Sequence, residues 1–441
     1  MLTLQDCQAL DQADVLRPLK DQFSLPPGLI YLDGNSLGAM PKAAPERVQA
    51  VVKQQWGHDL IQSWNTAAWV HWPGQIGDKI AKLVGAKPGE LVVADSTSVN
   101  VFKVLSAALL IAKQDQPQRK WVLSERSNFP TDLYVAESLC KQHGMQLILL
   151  DDEPVSSALN DQVAVLLLTH VNYRTGAMHD MAAINAKAKA LGVLTVWDLA
   201  HSAGAVEVDL QGSGADFAVG CGYKYLNGGP GAPAFVWVRD EWAHRFWQPL
   251  SGWWGHERPF AFTPDYRPAA GIARYLCGTP PILSMAALDV GVDTLLAAES
   301  FGGMKALRAK SVALCQTFID LVEQTCSSHG LKLASPRDAA QRGSQVSWCF
   351  ESASADKSVE AGAGGDGASQ AYAVMQALIA RGVIGDFRAG DGAHHADLMR
   401  FGFTPLYLGF EQVWLAVQHL REVLDQREWQ RPEFMRVHAV T

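Results

Sequence analysis

The stretch that decides the fold is residues 193–204, Val-Leu-Thr-Val-Trp-Asp-Leu-Ala-His-Ser-Ala-Gly. A mostly apolar strand is predicted at 194–197, after an Ala-rich helix at 182–191 that Gly192 closes. Asp198 follows this strand directly, and ligands of open α/β sheets bind at the carboxyl ends of strands. A buried carboxylate there is costly unless it meets a cation or a hydrogen-bond donor. Asp198 is therefore a candidate ligand-binding residue, although an Asp that only caps a turn is an equally common interpretation.

The same alternation of short strands and helices extends to both sides of this stretch. Strands are predicted at 121–123, 146–150, 163–168, 215–220 and 234–237, with helices at 99–113 and 132–142. The uninterrupted apolar run at 163–168 is typical of a strand that is buried on both faces. Repeated β-α-β units predict an α/β fold with a mainly parallel sheet covered by helices.

Beyond about residue 285 the pattern changes. It predicts long helices at 283–303 and 306–324, a strand at 345–350 and a helix at 371–381. We therefore predict an N-terminal segment (1–55) that packs on the small domain, a large domain (56–285), and a smaller α+β C-terminal domain (286–441). The acidic, Gly/Ala-rich stretch 352–369 is predicted to be a surface insertion.

Composition restricts the class of protein. The 441 residues include 37 Lys+Arg and 45 Asp+Glu, for a net charge of -8, which argues against nucleic acid or an anionic membrane as partner. No apolar run reaches the roughly 18 residues of a membrane-spanning helix, and residues 1–20 lack the pattern of a signal peptide. The seven cysteines contain no C-x-x-C pair, so neither a zinc site nor a disulfide framework is indicated. We expect a reduced, cytoplasmic protein.

A lysine follows the next predicted strand. Lys224 lies before the glycine-rich turn 227–231, and its amine is expected to enter the same crevice as Asp198. Burial there would favour the neutral, nucleophilic amine. Alone, such a lysine is more commonly a solvated residue at a strand end. A carboxylate and a lysine on successive strands, however, are the pair that pyridoxal 5′-phosphate requires, one for the pyridinium nitrogen and one for the Schiff base.

This cofactor also needs a phosphate site. Thr97 and Ser98, at the start of the predicted helix 99–113, would offer hydroxyls, backbone N–H groups and the positive end of the helix dipole. Plain helix capping explains the same residues equally well. They support a cofactor site because they precede Asp198 and Lys224 where this architecture would need them.

Six further motifs extend the comparison to most of the chain, and through them the sequence resembles the kynureninase family of pyridoxal-phosphate enzymes, which has the aspartate aminotransferase (type I) fold. The resemblance implies a large domain with a mainly parallel, seven-stranded sheet. The motifs that contain Lys224 and Trp253 are the most specific. The motifs are Tyr31-Leu-Asp-Gly-Asn-Ser36-Leu-Gly, Ser127-Asn-Phe129-Pro-Thr-Asp132, Asp198-Leu-Ala-His201, Tyr223-Lys224-Tyr225-Leu226-Asn227, Gly252-Trp253-Trp254-Gly255-His256-Glu257 and Gly278-Thr279-Pro280-Pro281.

The resemblance implies a role for each matching residue. Lys224 would bind the cofactor covalently and carry the substrate's Cα proton, and Asp198, assisted by His201, would pair with the pyridine nitrogen. Tyr223 would be a catalytic acid/base. Trp253 and Thr279 would reach the phosphate from the partner subunit, which implies a homodimer. Together with these, the cofactor-binding residues would be Thr97, Ser98, Phe129, Pro130, Thr131, Asp132 and Thr169.

The substrate side is implied by fewer residues. Arg400 resembles the arginine that binds the α-carboxylate, for which a guanidinium fork is well suited. Ser36 and His58 are candidates for the aryl end. Thr279 departs from the Asn of some members, so it bears on the choice between kynurenine and 3-hydroxykynurenine. No metal is expected: the polar residues Asp391, His394, His395 and Asp397 fit a solvated loop better than a metal site.

The implied reaction is hydrolysis of L-kynurenine, or 3-hydroxykynurenine, to anthranilate, or 3-hydroxyanthranilate, and L-alanine, in tryptophan degradation and NAD biosynthesis. Two alternatives stay open. One is another enzyme of the same fold, a cysteine desulfurase or an aminotransferase; a desulfurase needs a mobile cysteine, whereas Cys326 and Cys349 lie in predicted regular structure. The other is a pyridoxal-binding regulator without turnover, which would normally carry a basic DNA-binding module.

Overall fold

The computed structural model describes residues 2–151, 153–351, 368–391 and 395–437, so nearly all of the predicted insertion at 352–369 lies outside the described residues. The chain divides into two compact units. The small unit comprises Met1–Ala39, Arg174–Ala177 and Ala298–Thr441, and the large unit comprises Met40–Tyr173 and Met178–Ala297. Residues 40–55 and 286–297 thus belong to the large unit, whereas the sequence assigned them to the N-terminal segment and the small domain.

The regular structure of the described chain alternates between strands and helices over most of its length. The strands are β1 (Ile30–Tyr31), β2 (Leu91–Val93), β3 (Trp121–Glu125), β4 (Gln146–Leu150), β5 (Val163–Thr169), β6 (Leu194–Asp198), β7 (Phe217–Gly220), β8 (Phe235–Val238), β9 (Leu331–Leu333), β10 (Gln345–Phe350), β11 (Val383–Ile384), β12 (Asp386–Arg388) and β13 (Leu398–Gly402). The α-helices are α1 (Leu4–Ala13), α2 (Ala44–Ala50), α3 (Ser63–Thr66), α4 (Trp72–Leu83), α5 (Thr97–Asp115), α6 (Pro130–His143), α7 (Val155–Ala158), α8 (Met181–Ala190), α9 (Asp240–Ala243), α10 (Ile282–Leu296), α11 (Gly303–Thr325), α12 (Gln370–Ala380) and α13 (Phe410–Asp425). A π-helix (Val51–Asp59) continues α2.

The large unit is built on a seven-stranded sheet with the order β2-β8-β7-β6-β5-β3-β4. Every neighbouring pair is parallel except the two pairs that involve β8, which runs opposite to β2 and to β7. All seven residues of β5 are buried, as its continuous apolar sequence predicts. The predicted α/β fold with a mainly parallel, seven-stranded sheet is confirmed.

The elements that differ from the sequence prediction include β2 and α10. Strand β2 is missed because its three residues are too short to show a period. The helix predicted at 283–303 is wrong at its end: α10 stops at Leu296 and a 3₁₀ turn, Ala297–Phe301, follows. The next two residues, Gly302 and Gly303, have φ values of 104° and 61°. This left-handed backbone, which glycine adopts at little cost, separates α10 from α11.

Helix α10 packs closely on the chain that follows Lys224. A Cβ atom placed on Gly291 would come within 2.4 Å of the Leu226 carbonyl oxygen and 2.6 Å of the Asn227 carbonyl. The side chain of Asn227 also donates a hydrogen bond to Thr294 Oγ1, at 3.1 Å. The missing side chain at Gly291 therefore lets the helix support the lysine-bearing loop at backbone contact distance.

The small unit contains a four-stranded antiparallel sheet with the order β12-β13-β10-β9, and the short parallel pair β1-β11. Helices α1 and α13 pack on one another in this unit. The Asp11 carboxylate accepts hydrogen bonds from the backbone N–H groups of Phe410 and Glu411, at 2.7 and 2.9 Å. A side chain of the N-terminal helix thus caps α13. Within the described ranges, no helix combines the length and the apolar character needed to cross a membrane.

Candidate active site

Two neighbouring parallel strands bring the first site residues together. Thr169 ends β5 and Asp198 ends β6, and the two are paired in register. Both side chains are buried, and Thr169 Oγ1 lies 3.4 Å from Asp198 Oδ2. Asp198 Oδ1 accepts a hydrogen bond from the Ala200 N–H at 2.7 Å. The carboxylate is therefore fixed at the edge of the sheet where ligands of α/β folds bind.

Asp132, in the first turn of α6, brings a second buried carboxyl group to this place. Burial raises the pKa of Asp132 well above its ordinary value, and the negative charge of Asp198 raises it further, while Lys224 acts in the opposite direction. Burial also raises the pKa of Asp198, again opposed by Lys224. Within the described part of the chain, Asp132 Oδ2 is buried without a hydrogen-bond partner. Two carboxyl groups thus face one lysine, an arrangement that a bound cation would stabilise.

The lysine lies against His201 and two aromatic rings. Lys224 Nζ is 2.9 Å from His201 Nε2. It also lies 6.0 Å from the ring centre of Phe129 and 5.7 Å from that of Tyr223. Both rings are partly exposed, at 40% for Phe129 and 36% for Tyr223. Phe129 immediately precedes Pro130 and Thr131, the first residues of α6. Its partly exposed ring lies beside the lysine.

The predicted phosphate site is the start of a 19-residue helix. Thr97 and Ser98 are the first two residues of α5 and are half-buried, and Ser96 caps the helix by accepting a hydrogen bond from the Val99 N–H at 3.3 Å. The first amide groups of an α-helix have no acceptor within the helix. They are available to an anion together with the two hydroxyl groups and the helix dipole.

These groups fit pyridoxal 5′-phosphate. The paired buried carboxyls suit a protonated ring nitrogen, and the unpartnered Asp132 oxygen is an acceptor of the kind such a cation or a polar neighbour would satisfy. Lys224 lies close enough to a histidine to exchange a proton with it. The start of α5 offers donors for the phosphate. Asp132, Thr169, Asp198, His201, Tyr223 and Lys224 thus belong to one candidate cofactor site in the large unit.

Three other predicted residues of the large unit have different surroundings. Trp253 packs on Trp254 and stacks with Phe262, and together with Tyr266 and other residues it lines a separate cavity of about 200 Å³. Thr279 is exposed. The His58 side chain is 76% exposed, and its Nδ1 lies 2.8 Å from Asp59 Oδ1.

The small unit places two predicted substrate residues side by side. Arg400, in the middle of β13, is fully buried, and its Nη2 donates to Ser36 Oγ at 2.7 Å and to the Asp386 carboxylate. Ser36 Oγ in turn donates to Asp386 Oδ2 at 3.0 Å. Ser36 is therefore a neighbour of the arginine rather than an isolated group. Its role at the aryl end of the substrate stays a prediction.

The sequence analysis assigned no role to the acidic partners of Arg400. Asp386 lies opposite Arg400 in the β12–β13 pair, and Arg388 Nη2 also contacts it at 2.7 Å. Burial, together with the charge of Asp386, raises the pKa of Asp33 to about 7, and Arg400 opposes the shift. One feature of the sequence could have pointed to Asp33: it lies inside the motif that begins at Tyr31. For Asp386, the feature was the opposite charge of Arg388 two residues later, on the same face of a strand.

No group of three or more His, Cys, Asp or Glu side chains is placed to hold a metal ion in the residues that the structure describes, from which His394 is absent.

Comparison with protein families gives two matches. Residues 32–361 match the class-V aminotransferase family, and residues 367–420 match the kynureninase C-terminal domain. A kynureninase from Pseudomonas fluorescens is 52% identical over 444 residues, and one from Burkholderia pseudomallei (strain 1106a) is 50% identical; both alignments cover all of each chain.

Solved structures with low sequence identity share the fold. An apo cysteine desulfurase from Thermococcus onnurineus superposes with a TM-score of 0.72 at 19% identity, covering 93% of this chain and 98% of that one. A cystine C–S lyase in complex with cysteine persulfide gives 0.68 at 16% identity, covering 89% and 97%. At such identities the likeness establishes the type I fold alone. The full-length identity of about 50% is what decides the family: this chain belongs to the kynureninase family.

Proposed function

We propose that the chain is a pyridoxal-phosphate-dependent hydrolase that cleaves L-kynurenine to anthranilate and L-alanine. The observation that carries the proposal is the meeting of three side chains: Asp198 at the carboxyl end of β6, Asp132 in the first turn of α6 and Lys224 in the loop after β7, in a chain with full-length likeness to kynureninases. When bound, pyridoxal phosphate supplies an electron sink for the substrate's Cα–H and Cβ–Cγ bonds. In the net reaction, water delivers OH to the substrate's Cγ and H to Cβ as the bond between these carbons breaks.

The chain's own residues direct this chemistry. Asp198, held by Thr169 and the Ala200 amide, keeps the ring nitrogen protonated, and Asp132 is a second buried carboxyl group beside it, with a pKa that burial and Asp198 raise. Lys224 binds the cofactor and moves the Cα proton, with His201 Nε2 at 2.9 Å as its neighbour. Phe129 covers the cofactor ring, and Pro130 and Thr131 fix the start of α6 beside it.

Other groups bind the two ends of the substrate. Arg400, oriented by Ser36 and Asp386, binds the α-carboxylate. Tyr223, whose ring lies 5.7 Å from Lys224 Nζ, is the acid/base for hydration and cleavage at Cγ. His58 and Ser36 are assigned to the aryl end. Thr97 and Ser98 bind the phosphate.

The same proposal includes a cytoplasmic homodimer whose partner supplies Trp253 and Thr279 to each phosphate site. Support comes from large apolar side chains that the large unit leaves exposed, which are typical of an association surface. They include Trp56, Ile61, Trp247, Phe260 and Phe262, with exposed fractions from 53% to 76%. A place in tryptophan degradation and NAD biosynthesis completes the proposal.

Cysteine desulfurases share the fold but need a reactive thiolate. Cys326 is fully buried. Burial raises the pKa of the Cys326 thiol and the pKa of the Cys349 thiol. Neither cysteine is therefore poised as a nucleophile, which favours the hydrolase.

The test is to mix the purified, cofactor-loaded protein with L-kynurenine and to quantify anthranilate by fluorescence and alanine by amino-acid analysis. Equal amounts of both products are expected. Lys224→Ala should lose this activity, whereas the surface control Lys187→Ala should keep it. Anthranilate release by Lys224→Ala would contradict the mechanism. A keto acid in place of alanine would identify an aminotransferase, and sulfide from cysteine a desulfurase.

A further inference from the structure

Lys103, in α5, is a fully buried lysine to which the proposed mechanism gives no role. Its side chain has 0% exposure. Its Nζ forms an ion pair with the Asp95 carboxylate and donates to the Tyr275 carbonyl oxygen at 2.5 Å. Lysine is almost never buried completely unless it is paired. The amine therefore joins two chain segments that are 180 residues apart, Asp95 and Tyr275.

The first segment is the turn that presents the phosphate site. Asp95 lies between β2 and α5, directly before Ser96, and has a φ of 49°, a left-handed conformation that is uncommon outside glycine. Its carbonyl accepts from the Ala234 N–H at 2.9 Å, and Asn100 Nδ2 donates to the Ala94 carbonyl at 2.8 Å. The backbone is thus tied on both sides of the turn, and Lys103 holds the side chain.

The second segment leads to Thr279, which the proposed homodimer assigns to the partner's phosphate site. Tyr275 ends the 3₁₀ helix Gly271–Tyr275, and Thr279 follows four residues later. The ring of Tyr275 is buried, so its backbone is a fixed point for the amine to contact. One amine therefore anchors both the turn before Thr97 and the segment before Thr279.

We propose that Lys103 is a positioning residue for the cofactor phosphate: it holds the Asp95 turn against the Tyr275 segment and neutralises the Asp95 carboxylate beside the anion site. The inference rests on the proposed cofactor function. The Asp95 side chain is 30% exposed and lies just before the start of α5, where a phosphate dianion would bind. Without Lys103, this carboxylate would repel the anion and its turn would lose an anchor.

The test compares pyridoxal 5′-phosphate with pyridoxal, which lacks the phosphate. Each is titrated by absorbance into the full-length protein after removal of its cofactor, for the wild type and for Lys103→Met. If Lys103 acts on the phosphate, Lys103→Met weakens the binding of pyridoxal 5′-phosphate by about tenfold or more. This is the effect of one uncompensated charge at an effective dielectric constant of about 20. The affinity for pyridoxal changes little. The ratio of the two affinities therefore falls.

The chain offers a matched control. Lys310, in the small unit, is also buried, and its Nζ contacts the Asp14 carboxylate at 2.7 Å and the Pro405 carbonyl at 2.6 Å. Lys310→Met removes an equivalent ion pair, so it reports general destabilisation and should leave the affinity ratio unchanged. If Lys103→Met does not fold, Lys103→Met/Asp95→Asn buries no unpaired charge and carries the same test, with a smaller fall in the ratio.

An equal loss of affinity for both ligands in Lys103→Met, or in the double variant where the single variant does not fold, would overturn the inference, because such a result assigns Lys103 to general stability. A wild-type protein that binds neither ligand would overturn the proposed cofactor function and this inference with it.

Discussion

Replacing Asp33 by asparagine is expected to stabilise the protein increasingly as the pH rises. Asp33 lies beside Asp386, Arg400 and Arg388, its Oδ1 is buried without a hydrogen-bond partner among the described residues, and its pKa is raised to about 7. The unfolded chain ionises the same carboxyl at a pKa of 3.8. The folded state therefore holds the proton more tightly than the unfolded state, and wild-type stability falls as the pH rises from about 4 to 7. The asparagine variant lacks this loss.

The magnitude follows from the shift. About three pKa units at about 1.4 kcal/mol each set an upper bound of about 4 kcal/mol, of which about two-thirds develops between pH 5 and pH 8. Because Asp33 is only half-buried by area and faces two guanidinium groups, we expect about 1–2 kcal/mol.

Chemical denaturation followed by tryptophan fluorescence at pH 5 and pH 8 measures this difference. The advantage of Asp33→Asn over the wild type should be larger at pH 8, while the exposed control Asp161→Asn should show no such change. An advantage that is equal at both pH values, or larger at pH 5, would refute the assignment of a raised pKa to this carboxyl.

Three further outcomes are expected. Asp386→Asn should raise the KM for L-kynurenine by about tenfold or more with a smaller effect on kcat, because Arg400 loses the charge that orients it; steady-state kinetics with an unchanged KM would contradict this. Thr279→Asn should alter the ratio of kcat/KM values for kynurenine and 3-hydroxykynurenine, and an unaltered ratio would remove residue 279 from specificity. Gly291→Ala should lower the free energy of unfolding by about 1–3 kcal/mol and weaken cofactor binding, since its Cβ would push α10 away from Leu226; a wild-type Tm would disprove that close contact.

Apolar parallel strands were the part of the fold that sequence predicted best. The prediction of 146–150 coincides with β4, and that of 163–168 falls one residue short of β5. β5 is a continuous apolar run because both of its faces are covered, whereas β4, at the edge of the sheet, is only partly buried. Strand β2 and the end of α10 could not be found in this way, since a three-residue strand has no period and the transition to a 3₁₀ turn changes no hydrophobic pattern.

The site was predictable to the extent that its residues lie at strand ends. Asp198 and Lys224 were deduced from that position, whereas Phe129, Asp132, Trp253 and Thr279 depended on the family resemblance. Lys103 and Asp386 were missed because each also contacts a partner that is far away in sequence, the Tyr275 carbonyl for the lysine and Ser36 for the aspartate. Such pairs become visible only when the fold has placed the strands.

The antiparallel strand β8 also has a consequence for synthesis of the chain. β2, which leads into the phosphate-binding turn, is hydrogen-bonded to the sheet only through β8 in the described structure, and the two strands are separated by roughly 140 residues. At about 5–20 residues per second, a ribosome needs roughly 7–28 s to cover that interval. A nascent chain that ends before Phe235 can therefore contain Thr97 and Lys224 and still lack the strand that fixes the turn. Cofactor capture by stalled nascent chains should accordingly begin only once β8 has left the exit tunnel.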